Sequence, residues 1–120
     1  PMGNHNEFGQ EGELPAIDFL IKHGYRIRYR NYRHLKAEID IIAQKEGILA
    51  IVEVKSRSSL FFENIAETVT AKKIKLLVSA TNHYVLTHNL DLEVRFDIIT
   101  VYKNKGTFEL EHLENAFYHF

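Results

Sequence analysis

The segment AEIDIIAQKEGILAIVEVKSR (residues 37–57) decides the fold, because it predicts two adjacent β-strands joined by a tight turn. Residues 37–44 and 48–55 are rich in β-branched and aliphatic side chains, as strands are. Between them lies Glu46-Gly47, a weaker turn signal than Asn-Gly. The two flanking runs still favour a β-hairpin over two unrelated strands.

The register of this hairpin brings charged side chains together in an otherwise apolar sheet. Pairing Lys45 with Ile48 beside the turn places Asp40 opposite Glu53, on one face and with β-carbons about 4.5–5.5 Å apart. Lys55 shares that face, because strand side chains repeat every two residues. Two opposed carboxylates repel, and in an apolar sheet one of them protonates unless a cation lies between them. We therefore predict a site at which these two acids and Lys55 converge.

A hard divalent cation suits these groups. Mg²⁺ takes one or two carboxylates, keeps several waters and completes its shell with substrate phosphate. We predict Asp40 and Glu53 as ligands of Mg²⁺ or Mn²⁺, with the backbone carbonyl of Val54 as another oxygen ligand. The Lys55 ammonium would orient or help to deprotonate the attacking water and offset charge in the transition state of phosphodiester hydrolysis.

The rest of the chain completes an α/β pattern. Helices are predicted over residues 7–22, ended by Gly24, and 71–86, capped by Thr70, and further strands over 25–33, 94–102 and 107–113. The order α-β-β-β-α-β-β predicts a mixed central sheet flanked by helices. Pro15 leaves two interpretations of the first helix open: it begins near residue 13, or it kinks at the proline.

Composition indicates one ordinary globular domain. The chain has 120 residues, 45% hydrophobic and 26% charged, and we predict a flexible segment over 1–6 followed by one domain over 7–120. Pro1 precedes Met2 and is interpreted as a cloning remnant. Cysteine is absent, which excludes disulfides and thiolate metal sites. No apolar run approaches a membrane span and no basic-then-apolar leader is visible, so a cytoplasmic protein without a membrane partner is expected.

Positive charge is concentrated although the net charge is only −1. Residues 22–36 hold six of the fifteen Lys and Arg and no acid. Within 25–33, tyrosine and isoleucine alternate with arginine, which predicts a strand with one solvated basic face. Candidate phosphate contacts are Arg26, Arg28, Arg30, Arg33, Arg57, Lys72 and Lys73. The alternative is that this basic strand is only a solvated face.

The spacing Asp40…Glu53-Val54-Lys55 resembles the PD-(D/E)xK motif of restriction-endonuclease-like nucleases. The stretches GELPAIDFLIKHGYRIRYRNYR, AEIDIIAQ, VEVKSR, ETVTAKKIKLL and RFDIITV resemble, in order and spacing, the YraN family of small bacterial proteins. The resemblance implies a metal-dependent endonuclease fold similar to archaeal Holliday-junction resolvases. It implies Asp40 and Glu53 as metal ligands, Lys55 as the catalytic lysine and Glu13 as an assisting acid.

The same resemblance sets the expected substrate. DNA is favoured over RNA, and branched DNA is an extension of the likeness to resolvases. Because cleavage of a junction needs two active sites, a homodimer is the expected assembly.

Other functions remain open on the sequence alone. Glu53 and Lys55 could form an exposed pair on an edge strand, and the chain could be a nucleic-acid-binding module without catalysis. An interaction protein that uses Phe61, Phe62 and the segment 117–120 is a third hypothesis. Two further pairs are predicted to be structural: Glu38 as a solvated partner of a basic residue, and Arg95 with Asp97.

Overall fold

The computed structural model contains a five-stranded sheet and two helices. It describes residues 2–57 and 69–117, with side chains from Gly12 onwards. The elements are α1 (Met2–Lys22), β1 (Arg26–His34), β2 (Ala37–Lys45), β3 (Ile48–Arg57), α2 (Ala71–Thr87), β4 (Glu93–Asn104) and β5 (Thr107–Leu113). The predicted order of helices and strands, α-β-β-β-α-β-β, is confirmed. In the described chain, neither helix combines the length and the apolar character that a bilayer crossing requires.

The sheet is mixed and its strands lie in chain order, β1-β2-β3-β4-β5. β3 and β4 pair in parallel, with α2 in the connection between them, and the other neighbours pair antiparallel. The predicted register of the β2–β3 hairpin is confirmed from Lys45 opposite Ile48 as far as Ile41 opposite Val52. Glu46 begins the turn with φ 54°, a left-handed conformation of the kind that tight hairpin turns use.

Each face of the sheet carries a separate hydrophobic core. On the α1 face, Ala16 and Leu20 of the helix pack on a cluster centred on Ile41, Val52 and Ile99. On the α2 face, the helix residues Leu77, Ala80 and Tyr84 pack on a cluster that includes Ile39, Ile42, Ile51 and Phe96. The near-continuous apolar runs of β2 and β3 follow from this arrangement, since both faces of the central strands are buried.

The first helix is longer than predicted and passes through Pro15. It begins at Met2 rather than at residue 7, so the segment predicted to be loose joins the helix from Met2 onwards. A start near residue 13 is therefore wrong. Proline in a helix removes one backbone hydrogen bond, at a cost of about 3 kcal/mol, and the complete burial of Ala16 and Leu20 offsets that loss. Gly24 ends the helix as predicted, at φ 89° and with the Tyr25 amide donating to Leu20 O at 2.9 Å.

Strand β1 does not keep one basic face, and that prediction is wrong. The register with β2 shifts between Ile27 and Tyr29, and Asn31 adopts φ 53°. Arg28 and the next residue, Tyr29, both contact Tyr84 of α2, whereas the charge of Arg30 acts on Glu13 of α1. A bulge places two residues opposite one and redirects the side chains that follow, so the arginines of β1 are divided between the two faces.

Arg95 and Asp97 form the predicted structural pair within a larger polar cluster. Asp97 is fully buried and accepts from Arg95 Nη2 at 2.7 Å, from His112 Nε2 at 2.8 Å and from the Asn115 amide at 3.1 Å. Arg95 also donates to the Tyr25 hydroxyl. Burial alone would raise the pKa of Asp97, but the hydrogen bonds from His112 and Arg95 hold that pKa below its ordinary value. The cluster ties β4, β5 and the start of β1 together.

Asp97→Ala is expected to lower the free energy of unfolding by about 3–5 kcal/mol, because it leaves the partly buried Arg95 cation without its main carboxylate partner. Urea denaturation followed by circular dichroism measures the loss. Glu114→Gln is the matched control, since Glu114 is a second, exposed acid 3.6 Å from Arg95 Nη1, and it should cost under about 1 kcal/mol. Equal, small losses in both variants would contradict a structural role for Asp97.

Candidate metal and catalytic site

The candidate site lies where the β2–β3 ladder ends. Beyond the last pair, Ile41 opposite Val52, the Asp40 side chain turns to the neighbouring strand and Oδ2 accepts the Val54 amide hydrogen bond at 2.8 Å. Glu53 follows Val52 on β3 and is buried, with 7% of its surface exposed. The charge of Glu53 acts on Asp40, so the two acids are neighbours, although the ladder ends before the predicted pair of Asp40 with Glu53.

Glu53 is held by two lysines through one of its oxygens. Lys73 Nζ lies 3.3 Å from Glu53 Oε1 and Lys55 Nζ lies 3.8 Å from the same atom. The Glu53 Oε2 atom is buried and has no hydrogen-bond partner in the described part of the chain. An unpaired buried carboxylate oxygen is costly, and this one is left for a further cation or donor.

Asp40 is the acid whose ionisation the site opposes. Burial first, and then the negative charge of Glu53, raise the pKa of Asp40 to about 7, against the lowering effect of the Val54 amide. Glu13 raises this pKa further, whereas Lys73 lowers it. The three acids are therefore electrostatic neighbours, and near neutral pH Asp40 is divided between its neutral and charged forms.

Glu13 reaches this site from α1 because the helix approaches β3 closely. Gly12 is buried, and a β-carbon there would collide with Ser56 Oγ and contact Val54 Cγ1 at 3.8 Å. Glu13 Oε1 is buried and has no hydrogen-bond partner among the described residues. Burial raises the pKa of Glu13, Arg30 lowers it and Glu38 raises it. The helix thus contributes a third, partly desolvated acid.

The donor set fits a cation that uses few protein ligands. Among the described side chains, residues 12–57 and 69–117, no three His, Cys, Asp or Glu come close enough together to hold one metal ion. Mg²⁺ needs only one or two carboxylates, and the Asp40–Glu53 pair with its unpartnered oxygen meets that need. The role of the Val54 carbonyl as a ligand stays a prediction.

The residues predicted to contact nucleic acid are spread over the molecule. Arg26 and Arg28 donate hydrogen bonds to Gln44, and the charge of Arg30 lowers the pKa of Glu13. Arg33 forms an ion pair with Glu38 at 2.9 Å. Arg57 donates to Ser56 O, and Lys72 is exposed at the start of α2. The Arg33 pair confirms Glu38 as a solvated partner of a basic residue. Phe61 and Phe62 lie outside the described residues, as do residues 118–120.

Lys73 is the residue whose position the sequence interpretation missed. Its ion pair with Glu53 is not part of the sequence interpretation, and its contact with phosphate stays a prediction. The Thr70 hydroxyl caps α2 by accepting the Lys73 amide at 3.1 Å, which fixes the backbone from which the side chain extends. The chain order carried a usable signal, because a helix that follows a parallel strand begins near the carboxyl end of that strand, where Glu53 and Lys55 lie.

Related proteins match this chain over nearly its whole length. The model of the uncharacterised protein family UPF0102 matches residues 12–101. A UPF0102 protein of Flavobacterium psychrophilum is 56% identical over 119 residues, covering 99% of this chain and all of the relative. A UPF0102 protein of Flavobacterium johnsoniae is 49% identical with the same coverage, and one of Phocaeicola vulgatus is 46% identical over 98% of this chain and 97% of the relative.

Asp40→Asn is expected to stabilise the fold at pH 8 by about 2–4 kcal/mol, and the difference from wild type should vanish as pH falls to 4. The sign follows because the pKa of Asp40 is about 7 in the folded state and 3.8 without that environment. Stability from the protonated carboxyl is complete below the lower pKa and is lost as pH rises through the higher one. Asparagine can still accept the Val54 hydrogen bond. Urea unfolding from pH 4 to 8 measures the effect.

The matched control is Asp18→Asn, which removes an exposed acid from its pair with Lys22 on α1. This variant should differ from wild type by under about 0.5 kcal/mol across the same range. A stability difference for Asp40→Asn that stayed constant between pH 4 and 8 would contradict the electrostatic account of the site.

Proposed function

This chain belongs to the protein family UPF0102, and from that premise we propose that it is a divalent-metal-dependent endonuclease that hydrolyses DNA phosphodiester bonds. One observation carries the proposal: Asp40 and Glu53 follow the last pair of the β2–β3 ladder, where burial and the negative charge of Glu53 raise the pKa of Asp40. A protein that only needed a stable hairpin would gain by replacing such a pair with apolar side chains. The loss of stability that the two carboxylates cause is explained if the pair binds a cation.

Asp40 and Glu53 would hold Mg²⁺ or Mn²⁺, with the Val54 carbonyl and the Glu13 carboxylate in assisting roles. When bound, the ion would supply positive charge to the phosphate oxygens and favour ionised Asp40. The unpartnered oxygens of Glu53 and Glu13 support this assignment.

Lys55 would contact the reacting phosphate or the attacking water. Its ammonium lies at the site, 3.8 Å from Glu53 and with 21% of the side chain exposed, so it can donate to an incoming group without complete desolvation. Lys73 is a positioning residue, because its charge holds the Glu53 carboxylate in place. Together the lysines would stabilise the charge that develops on phosphate oxygens.

The overall reaction adds one water across one phosphate ester bond. The water oxygen bonds to phosphorus, the ester bond to one sugar oxygen breaks, and the two water protons are shared out between the phosphomonoester, the released hydroxyl group and solvent. Branched DNA is the substrate that we would test first, and a homodimer would supply two such sites to one junction. The alternative is a binding module that retains the fold without the hydrolytic step.

Glu53→Gln and Lys55→Met should each reduce cleavage by about 100-fold or more, because each removes a charge that the transition state needs. The assay incubates the protein with linear, single-stranded and four-way-junction DNA in Mg²⁺, Mn²⁺ or EDTA and resolves the products on denaturing gels. Glu114→Gln, which changes an exposed acid far along the chain from the site, should cleave like wild type.

The outcomes separate the proposed functions. Cleavage that survives in both variants, or in EDTA, would contradict the catalytic assignment. Binding of DNA without cleavage in any metal would favour the non-catalytic binding module.

Mg²⁺ or Mn²⁺ should raise the melting temperature of the wild-type protein, since an ion that binds only the folded state stabilises it. The shift should grow from pH 6 to pH 8, because binding requires the carboxylate form of Asp40, whose pKa is about 7. Asp40→Asn and Glu53→Gln should lose most of the shift. Differential scanning calorimetry with and without EDTA provides the measurement, and an equal shift in all three proteins would overturn the ligand assignment.

A further inference from the structure

Two arginines of β1 converge on a single neutral acceptor. Arg26 Nη2 and Arg28 Nη1 donate to the same atom, Gln44 Oε1, at 3.0 and 2.8 Å. Arg28 Nε also donates to the Tyr84 hydroxyl at 2.9 Å. Within the described residues, no acid pairs with either guanidinium group, so two positive charges lie together without neutralisation.

An anion between these guanidinium groups would relieve their repulsion. Arg presents five donors in a fixed fork that matches the oxygens of phosphate, and the bonds to Gln44 and Tyr84 occupy only part of this capacity. Gln44 and Tyr84 also hold the two side chains in place, so little conformational entropy would be lost on binding. This arrangement favours a phosphate group over a single carboxylate.

An aromatic surface adjoins the arginines. The Tyr29 side chain is 49% exposed, and its ring is held edge to face against Tyr32 and Tyr84, with centroids at 5.2 and 6.4 Å. Tyr84 stacks on His88 at 4.1 Å. A cleft of about 290 Å³ is lined by Arg26, Ile27, Arg28, Tyr29, Tyr84 and His88. A rigid, half-exposed tyrosine beside two cations can stack on a planar group whose other end is negative.

We propose that this cleft binds one nucleotide of a single-stranded nucleic acid, with the phosphate at Arg26 and Arg28 and the base stacked on Tyr29. The inference rests on the proposed nuclease function, which it deepens by naming a substrate contact away from the acids. A duplex fits less well, because a base must be unstacked from its neighbours before a side chain can stack on it.

The cleft and Glu53 both lie against α2, the cleft through Tyr84 and Glu53 through its pair with Lys73. Gln44 lies four residues from Asp40 along β2, which is about 13 Å at the rise of a strand. Tyr84 lies eleven residues from Lys73 along α2, which is about 16 Å at the rise of a helix. Both distances fall within the several nucleotides that proteins binding single strands cover. One strand could therefore contact the cleft and the acids together.

The test measures binding in EDTA, so that it does not depend on cleavage. Fluorescence anisotropy of a labelled 12-nucleotide DNA strand, and of the same sequence as a duplex, is followed for wild type, Arg26→Met and Tyr29→Leu. Each variant should weaken single-strand binding about tenfold, which is the range of one stacked base or one charged contact. Arg26→Met spares the Arg28–Tyr84 bond, and melting temperatures verify folding.

Two further variants define the controls. Lys105→Met removes one positive charge from the turn between β4 and β5, at the opposite edge of the sheet, and should bind like wild type. Asp18→Asn, which changes an exposed acid of α1, should also bind like wild type, since Asp18 does not line the cleft.

The outcomes keep this inference separate from the proposed function. Loss of single-strand binding in Arg26→Met and Tyr29→Leu, with Lys105→Met unchanged, supports the cleft even if no cleavage is ever detected. Equal affinity for duplex and single strand, or unchanged affinity in Tyr29→Leu, overturns the cleft even if Glu53→Gln abolishes cleavage. Equal weakening by Lys105→Met would also overturn it, because the attraction would then be general.

Discussion

The antiparallel register between β2 and β3 is the constraint on which both cores and the candidate site depend. It runs from the two-residue turn to Ile41 opposite Val52, and these two residues lie in the α1-face core, whereas Ile42 and Ile51 lie in the α2-face core. Because strand side chains alternate, a slip of one residue would exchange the two faces. It would also turn Glu53 away from Lys73 of α2, so the same hydrophobic pattern that selects the fold also positions the charges.

The charges at the end of this hairpin work against the stability that the hairpin provides. The negative charge of Glu53 raises the free energy of ionised Asp40, and Lys73 and Lys55 compensate only one oxygen of Glu53. Buried charge of this kind is retained where function requires it and is offset by packing elsewhere. Here the offset comes from the fully buried aliphatic residues of β2 and β3, which hold the acids on rigid strands.

Sequence patterns predicted what local chemistry determines. The hairpin register followed from two aliphatic runs and a two-residue turn, and the end of α1 followed from Gly24. What failed depended on contacts distant along the chain. The regular alternation of YRIRYRNYR gave no sign of the shift after Ile27, and helix propensity alone would not carry α1 through Pro15, because buried packing supplies the compensation. The ion pair of Lys73 with Glu53 was not predicted, because it joins elements that only the folded sheet brings together.

The irregular course of β1 has a consequence for the behaviour of the protein at high concentration. β1 is an edge strand of the sheet, and a long regular edge is a template on which a second molecule can add a strand. The register shift after Ile27 and the left-handed Asn31 interrupt that edge, and the arginine-rich sequence adds like charges that repel another copy. The distortion that divides the arginines between the two faces therefore also discourages edge-to-edge aggregation.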